Sequence, residues 1–184
     1  FQQSDRRKSG RECLVFHFRT MYDYAYRPCF NSICGKAQEE RKMIREFHTS
    51  DTEQVMKLWL AGNEVAHSFI PKEYWRAHFA EVQEDLLKAK VFVCDTDGKI
   101  QGFIGMVNEY IAGIFVDKNC RSCGIGKQLL ISAKQEHDTL LLSVYQKNTR
   151  AVAFYLREGF SILSEAVDEA TGETEYTMFW KKTI

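Results

Sequence analysis

The spacing of apolar residues changes several times along the chain, and each change marks a predicted element. An apolar strand at 43–47 precedes a helix that begins with the polar and acidic residues of 50–53 and extends to Gly62. The segment 63–70 is predicted to be a loop between helices. A second helix is predicted from Pro71, because proline suits the first helical position and apolar residues then recur at helical spacing.

The second part of the chain is predicted to be rich in strands. An apolar run at 91–95 leads into Asp97-Gly98, a dipeptide typical of a two-residue hairpin turn, and a tight turn is predicted at Asn108. The other predicted elements are strands at 100–107 and 109–116, a helix at 124–136, a strand at 140–145, a helix that begins at Asn148, and a closing hairpin of strands at 160–166 and 176–180. The order β-α-α-β-β-β-α-β-α-β-β predicts an α/β fold with one mixed sheet and helices on both faces.

Composition narrows the functional classes. The length of 184 residues predicts one domain with a substantial core. The formal net charge of zero gives no sign of binding to nucleic acid or to an acidic membrane, and no apolar stretch approaches the roughly 20 residues of a membrane-spanning helix. We therefore expect neither a nucleic-acid nor a membrane partner.

The cysteines indicate a reducing compartment. The six residues follow no framework spacing, so reduced thiols in a cytoplasmic protein are expected. Cys120 and Cys123 form a single C-x-x-C with neither a second such pair nor paired histidines, so we expect small residues in a turn rather than a metal or redox site.

Residues 1–42 lack a clear amphipathic pattern, although several aromatic and basic residues occur there. We expect the domain to comprise residues 43–184, and residues 1–42 to be a leader, a segment introduced by cloning or an extension peculiar to this chain. The alternative is a native extension that packs on the domain or on a partner.

The most informative stretch is Ile111 to Leu130, with the sequence IAGIFVDKNCRSCGIGKQLL. A strand, a polar turn and a helix follow one another there, and such a turn presents free backbone N–H groups at a helix N-terminus to an anion. Gly124 and Gly126 allow close approach of the backbone to a phosphate, and Arg121 and Lys127 add positive charge. The stretch therefore predicts a site for a phosphate or pyrophosphate group.

Two common phosphate loops do not match this stretch. A P-loop needs glycine where the chain has Arg121 and serine or threonine where it has Gln128, and a dinucleotide fingerprint needs glycine in place of Leu129. The remaining pattern, Arg-x-x-Gly-x-Gly after a strand, resembles the acyl-CoA pyrophosphate loop of the GNAT superfamily of N-acetyltransferases. The alternative is a glycine-rich turn that binds nothing.

A second segment, Asn148 to Phe160 (NTRAVAFYLREGF), strengthens the resemblance. Asn148 is a good N-cap and Gly159 suits the left-handed position after a helix. An Asn-capped helix that carries Phe-Tyr and ends in Gly-Phe resembles the second GNAT signature. The resemblance covers about residues 43–182. The chain is similar to small bacterial GNAT enzymes, including protein acetyltransferases, especially in the segment LSVYQKNTRAVAFY.

The resemblance implies a metal-free N-acetyltransferase that uses acetyl-CoA and acetylates a primary amine directly, on a protein lysine, an N-terminus or a small molecule. It implies a GNAT fold whose central parallel strands, here ending near Val116 and Tyr145, splay apart to admit the pantetheine arm. The backbone of the first strand would pair with the arm, and the loop after it would hold the pyrophosphate. The residues assigned to acetyl-CoA are Ile114, Phe115, Val116, Arg121, Ser122, Cys123, Gly124, Ile125, Gly126, Lys127, Asn148 and Phe154.

The resemblance also implies catalytic residues. Tyr155 resembles the tyrosine that protonates the CoA sulfur, a role that suits a phenol with an ordinary pKa of about 10. The alternative is an aromatic residue packed beside Phe154. Glu109 lies where some GNAT enzymes carry a catalytic glutamate, whereas others use water, and a glutamate at a strand end is often only a solvated charge.

Three further residues border the acceptor groove by the same comparison: His67, Trp75 and Tyr110. Tyr110 points away from Glu109 because strand side chains alternate, so only one of the two can face the groove. The alternatives are a surface histidine at 67 and a core tryptophan at 75.

Two other functions fit parts of the sequence. A non-catalytic acyl-CoA-binding regulatory module would keep Arg121, Gly124 and Gly126 but would not need Tyr155. A structural domain without a ligand would leave the phosphate loop unexplained. The acceptor amine and the choice between a monomer and a homodimer stay open.

Overall fold

The computed structural model describes residues 42–183, in which seven strands form one mixed sheet with helices on both faces. The strands are β1 (Lys42–Glu46), β2 (Lys90–Thr96), β3 (Lys99–Val107), β4 (Tyr110–Val116), β5 (Thr139–Tyr145), β6 (Ser161–Val167) and β7 (Thr174–Lys181). The helices are α1 (Thr52–Ala66), α2 (Lys72–Ala77), α3 (Phe79–Leu86), α4 (Ile125–Glu136) and α5 (Thr149–Arg157), with short 3-10 turns at Thr49–Asp51 and Lys118–Cys120. No helix in this part of the chain is long and apolar enough to cross a membrane.

The expectation for residues 1–42 falls almost wholly outside the described residues. Lys42, which that expectation placed before the domain, is the first residue of β1 and pairs with Thr96.

The centre of the sheet contains the splayed pair of strands. The strand order is β1-β2-β3-β4-β5-β7-β6, and β4 with β5 is the parallel pair. Over the described residues the two strands pair only at Tyr110 with Leu141 and at Ile111 with Leu142. Beyond these positions β4 and β5 are no longer paired, so a gap opens between them towards their C-terminal ends. This geometry confirms the splayed strands that the resemblance implies.

A bulge in β4 decides which side chains reach each core. Gly105 of β3 pairs with Gly113 but Met106 pairs with Ile111, so Ala112 is an extra residue in β4. Because of this extra residue, Ile111 and Ile114 share the face covered by α4 and α5, although they are an odd number of residues apart. Ala112 and Phe115 lie on the opposite face, against α1, α2 and α3.

The structure corrects two predicted boundaries on the helical side. The predicted loop at 63–70 is wrong in its first half, because α1 continues to Ala66. Asn63 is tolerated inside the helix since its Nδ2 donates to the Trp59 carbonyl at 3.0 Å, which satisfies the buried amide. The predicted second helix is divided into α2 and α3 at His78, whose Nδ1–H donates to the Tyr74 carbonyl at 2.7 Å.

The turns agree with their residue types. Asp97 and Gly98 have φ of 50° and 84°, as the predicted hairpin requires, and Asn108 has φ of 53° at the predicted tight turn. Glu109, predicted as the first residue of a strand, lies in this turn instead, and β4 begins at Tyr110.

Candidate active site

The loop between β4 and α4 has the geometry of an anion site. Ser122 and Gly124 adopt φ of 63° and 80°, which redirects the chain into α4. The first helical bond runs from the Gln128 N–H to the Gly124 carbonyl at 3.0 Å. The amide groups of Ile125, Gly126 and Lys127 precede that bond and point out of the helix end, where they can bind a phosphate.

Side chains around the loop add to this site. Arg121 is half-buried and its Nε lies 3.5 Å from the Val116 carbonyl, so its positive charge is held at the end of β4. Lys127 is exposed in the first turn of α4. Gly124 leaves open space where a Cβ would stand, so the backbone is accessible to a bulky ligand. The pyrophosphate of an acyl-CoA therefore fits the residues that are present.

The cysteines of the loop are thiols. Burial raises the pKa of the Cys120 thiol, and the nearby Asp117 carboxylate raises it further. Neither Cys120 nor the exposed Cys123 forms a disulfide, and residues 42–183 contain no cluster of three or more His, Cys, Asp or Glu side chains suited to a metal ion. The raised pKa keeps the Cys120 thiol protonated, which makes it a poor nucleophile.

The gap between β4 and β5 offers a backbone edge to an extended ligand. The side chains of Ile114, Phe115 and Val116 are buried in the two cores, so only their backbone can serve a ligand. In the described residues the pairing of β4 with β5 ends at Ile111 with Leu142, so residues 114–116 lie beyond it on the side towards β5. An extended arm can take the place of that strand, as in other cases of strand addition.

The proposed catalytic residue, Tyr155, lies on helix α5 and is part of the buried core. Asn148 caps the helix, since its Oδ1 accepts from the Ala151 N–H at 3.2 Å. Tyr155 is fully buried, with its ring 5.2 Å from that of Phe154 and 5.3 Å from that of Phe160. It belongs to the same buried cluster as Ile114 of β4 and Leu142 of β5.

His67 and Trp75 are both buried. The alternative of a surface histidine is wrong, because His67 is 0% exposed at the end of α1 and lies 5.3 Å, ring to ring, from Trp75. Trp75 is 1% exposed and packs on Trp59, as the core alternative requires. His67 also contacts Asn148, so a residue assigned to the acceptor and one assigned to the cofactor touch each other.

Glu109 and Tyr110 lie at the closed end of the gap. Glu109 is exposed in its turn, and its carbonyl accepts from the Leu141 N–H at 2.9 Å. Leu141 and Tyr145, which lies beside His67, are four positions apart in β5, so the two groups of candidates are roughly 13 Å apart along this strand. The structure thus does not bring all the predicted acceptor residues into one cluster.

A group of side-chain contacts at the open end of the gap was not predicted from the sequence. Tyr145 is buried and its hydroxyl donates to Asp168 Oδ2 at 2.6 Å, and Thr171 Oγ1 donates to the same oxygen at 2.7 Å. The Phe69 ring packs on Tyr145 at 5.5 Å. These contacts join the segment after α1, the end of β5 and the β6–β7 turn. Tyr145 stood out only as a strand end, and nothing in the residue pattern marked Asp168.

Comparisons with known proteins agree with this geometry. A family model described as an acetyltransferase (GNAT) domain matches residues 88–162. The peptidyl-lysine N-acetyltransferase YiaC of Escherichia coli K12 is 36% identical over 140 residues, which is 75% of this chain and 96% of YiaC. The peptidyl-lysine N-acetyltransferase YjaB of Salmonella typhimurium LT2 is 30% identical over 132 residues, 71% of this chain and 90% of YjaB.

The fold is also similar to solved structures. The solution structure of apo YjaB from Escherichia coli superposes with a TM-score of 0.68 at 23% identity, covering 76% of this chain and 97% of that one.

Proposed function

Because the chain belongs to the GNAT family of acetyltransferases, we propose that the acceptor of its acetyl group is the side-chain amine of a lysine in a protein. The enzyme is an acetyl-CoA-dependent N-acetyltransferase. The choice of lysine is supported by the two relatives, both of which are named peptidyl-lysine N-acetyltransferases.

Each part of the proposed site has a physical task. When bound, acetyl-CoA supplies a thioester that a neutral amine can attack. The N–H groups at the start of α4 and the charge of Arg121 hold the pyrophosphate, and the backbone of β4 beyond its pairing with β5 orients the arm. Tyr155 holds a proton for the departing sulfur, since thiolate and phenolate are of comparable basicity. Exposed Glu109, or water beside it, accepts the proton of the amine.

The observation that carries the proposal is the position of Tyr155 in the buried cluster that also includes residues of β4, β5 and the start of α4. A module that only bound acyl-CoA would need the loop but would gain nothing from a buried phenol there. An enzyme therefore accounts for the buried phenol of Tyr155, which a regulatory module would not require.

The test is transfer of acetyl groups from acetyl-CoA to a panel of lysine peptides, the same peptides with the lysine side chain blocked, and small amines. We expect acetylated peptide by mass spectrometry, with equimolar thiol release, for free lysine side chains only. Tyr155→Phe should lower kcat by about 10²-fold with little change in acetyl-CoA affinity, because only the proton donor is lost.

Tyr176→Phe is the matched control, because that hydroxyl lies on β7 and binds Gln146 Nε2 at 2.6 Å. It should keep its full rate. Acetylation of small amines but of no peptide would contradict the lysine proposal, and an unchanged kcat in Tyr155→Phe would contradict the role of the phenol.

We also propose a cytoplasmic location in a bacterium. The support is that both relatives are bacterial and that Cys94, Cys120 and Cys123 are free thiols. Monomer and homodimer both remain compatible with the proposed activity.

A further inference from the structure

A continuous chain of hydrogen bonds crosses the buried space between α1 and α5. Asn63 Nδ2 donates to the Trp59 carbonyl at 3.0 Å, and Asn63 Oδ1 lies 3.1 Å from His67 Nδ1. His67 Nε2 lies 3.3 Å from Asn148 Nδ2, and Asn148 Oδ1 accepts from the Ala151 N–H at 3.2 Å. The chain therefore begins on the backbone of one helix and ends on the backbone of the other.

The direction of every bond in this chain follows from its two ends. Asn148 Oδ1 already accepts from a backbone N–H, so the amide nitrogen Nδ2 faces His67. An amide nitrogen only donates, so His67 Nε2 must be the acceptor and the ring proton must be on Nδ1. That proton then donates to Asn63 Oδ1, whose own amide is oriented by the Trp59 carbonyl. Only the neutral Nδ1–H tautomer satisfies both neighbours.

The surroundings of the imidazole hold it in place. The rings of Phe69, Trp75 and Tyr145 lie 5.7, 5.3 and 5.2 Å from it, and His67 is 0% exposed. A buried amide that loses its hydrogen-bond partner destabilises the fold. Removal of the imidazole nitrogens would therefore cause the Asn63 and Asn148 side chains to reorient. Asn148 is the N-cap of α5, and reorientation there would release the start of the helix.

We propose that His67 is a positioning residue, which locks the end of α1 to the N-cap of α5 and so fixes the helix that carries Tyr155. Tyr155 lies seven residues beyond Asn148, about two helical turns and 10 Å along the axis. A shift of the cap therefore moves the phenol relative to β4, and small displacements of reacting groups lower rates steeply. The kinetic part of this inference rests on the proposed role of Tyr155, whereas the structural part does not.

The first experiment examines the chain of bonds without reference to activity. Nitrogen-15 spectra of the histidines in the whole protein should identify His67 as neutral with the proton on Nδ1. Hydrogen exchange of the Ala151 amide should be about ten-fold faster in His67→Phe, which keeps a ring but removes both nitrogens. His67→Gln, which offers one acceptor and one donor, should restore slow exchange, and the Gln128 amide of α4 should not change in either variant.

The second experiment separates positioning from acceptor binding. His67→Phe should lower kcat for peptide acetylation by about ten-fold with an unchanged KM for the peptide, and His67→Gln should recover most of the rate. Asp51→Asn is the matched control for lost stability, because it breaks a contact of Arg45 remote from α5. It should keep its kcat even if it is equally destabilised.

Three results of these experiments would contradict the role of His67. A proton on His67 Nε2, unchanged Ala151 exchange in His67→Phe, or a raised peptide KM at constant kcat would each overturn the proposal. If the wild-type protein acetylates no peptide, the proposed function fails by itself. The tautomer and the exchange of Ala151 would then still decide whether His67 ties the two helices together.

Discussion

At the scale of single residues, Gly62 sets how closely α1 approaches the sheet. A Cβ at this position would lie 2.6 Å from Phe115 Cδ1, closer than side-chain atoms normally come. Phe115 cannot easily yield, since it is 1% exposed and stacks on Phe103 at 5.0 Å. The glycine is therefore required by packing against β4, although glycine weakens a helix.

Gly62→Ala should lower the free energy of unfolding by about 1–3 kcal/mol, because the overlap with Phe115 exceeds the gain in helix propensity. Urea or guanidinium denaturation followed by circular dichroism would measure it. Gly105→Ala is the matched control, since that Cβ would meet nothing within 4 Å. Equal stability of Gly62→Ala and the wild type would mean that α1 can move away from β4.

At the scale of elements, Arg45 joins three of them. Its guanidinium binds Asp51 at 2.7 and 3.0 Å and Asp95 at 2.8 and 2.9 Å, which ties β1 to the start of α1 and to β2. The hydrogen bonds from Arg45 hold the pKa of Asp51 below its ordinary value of 3.8, against the opposing effect of burial. Asp51 also accepts from the His48 N–H at 2.8 Å, so the carboxylate is well satisfied.

This pair should make stability depend on acid pH. A carboxylate whose pKa is lower in the folded state stabilises the fold above its unfolded pKa, and this contribution disappears as pH falls through the folded pKa. Asp51→Asn should therefore lower the free energy of unfolding by about 1.5–3 kcal/mol at pH 7. The difference from the wild type should shrink as pH falls below 3.8.

Denaturation of both proteins between pH 7 and pH 2 would measure the effect. Glu53→Gln, in an exposed pair with Lys57, should leave stability nearly unchanged at pH 7. A constant difference between wild type and Asp51→Asn over the whole range would show that the ion pair does not carry the pH dependence.

At the scale of the whole molecule, the sheet consists of two halves that meet weakly at β4 and β5. Within residues 42–183, the halves pair at Tyr110 with Leu141 and at Ile111 with Leu142, and the gap beyond is where acetyl-CoA is expected to lie. A ligand in that gap contacts both halves, so its binding energy adds to the stability of the fold.

Acetyl-CoA at about 100 times its Kd should therefore raise the free energy of unfolding by about 2.7 kcal/mol, with a matching rise in Tm. Gly124→Ala should weaken this effect, because alanine is strained at the φ of 80° that Gly124 adopts in the β4–α4 loop, the proposed site of the pyrophosphate. Gly98→Ala is the matched control, since it has a φ of 84° and equally open space but lies in the β2–β3 turn. An identical Tm shift in all three proteins would argue against binding at this loop.

The predictions that succeeded rest on short-range rules. Asn148 caps α5 through a residue three positions away, and Asp97-Gly98 forms its turn through its own backbone angles. Two expectations failed for different reasons. The helix was expected to end before Asn63, but the Asn63 amide donates to the Trp59 carbonyl four residues earlier and the helix continues to Ala66. His67 has a polar side chain that is typical of a surface, yet the folded chain buries it.

The strands, the turns at Asp97-Gly98 and Asn108 and the Asn148 cap of α5 were determined by the sequence itself, because each depends on residues within one or two helical turns of one another. The tertiary structure alone decided that His67 meets Asn148, 81 positions away, and that Tyr145 meets Asp168, 23 positions away. It also decided where the pairing of β4 and β5 stops. Burial and long-range hydrogen bonding depend on which surfaces pack together, and local patterns carry no information on that choice.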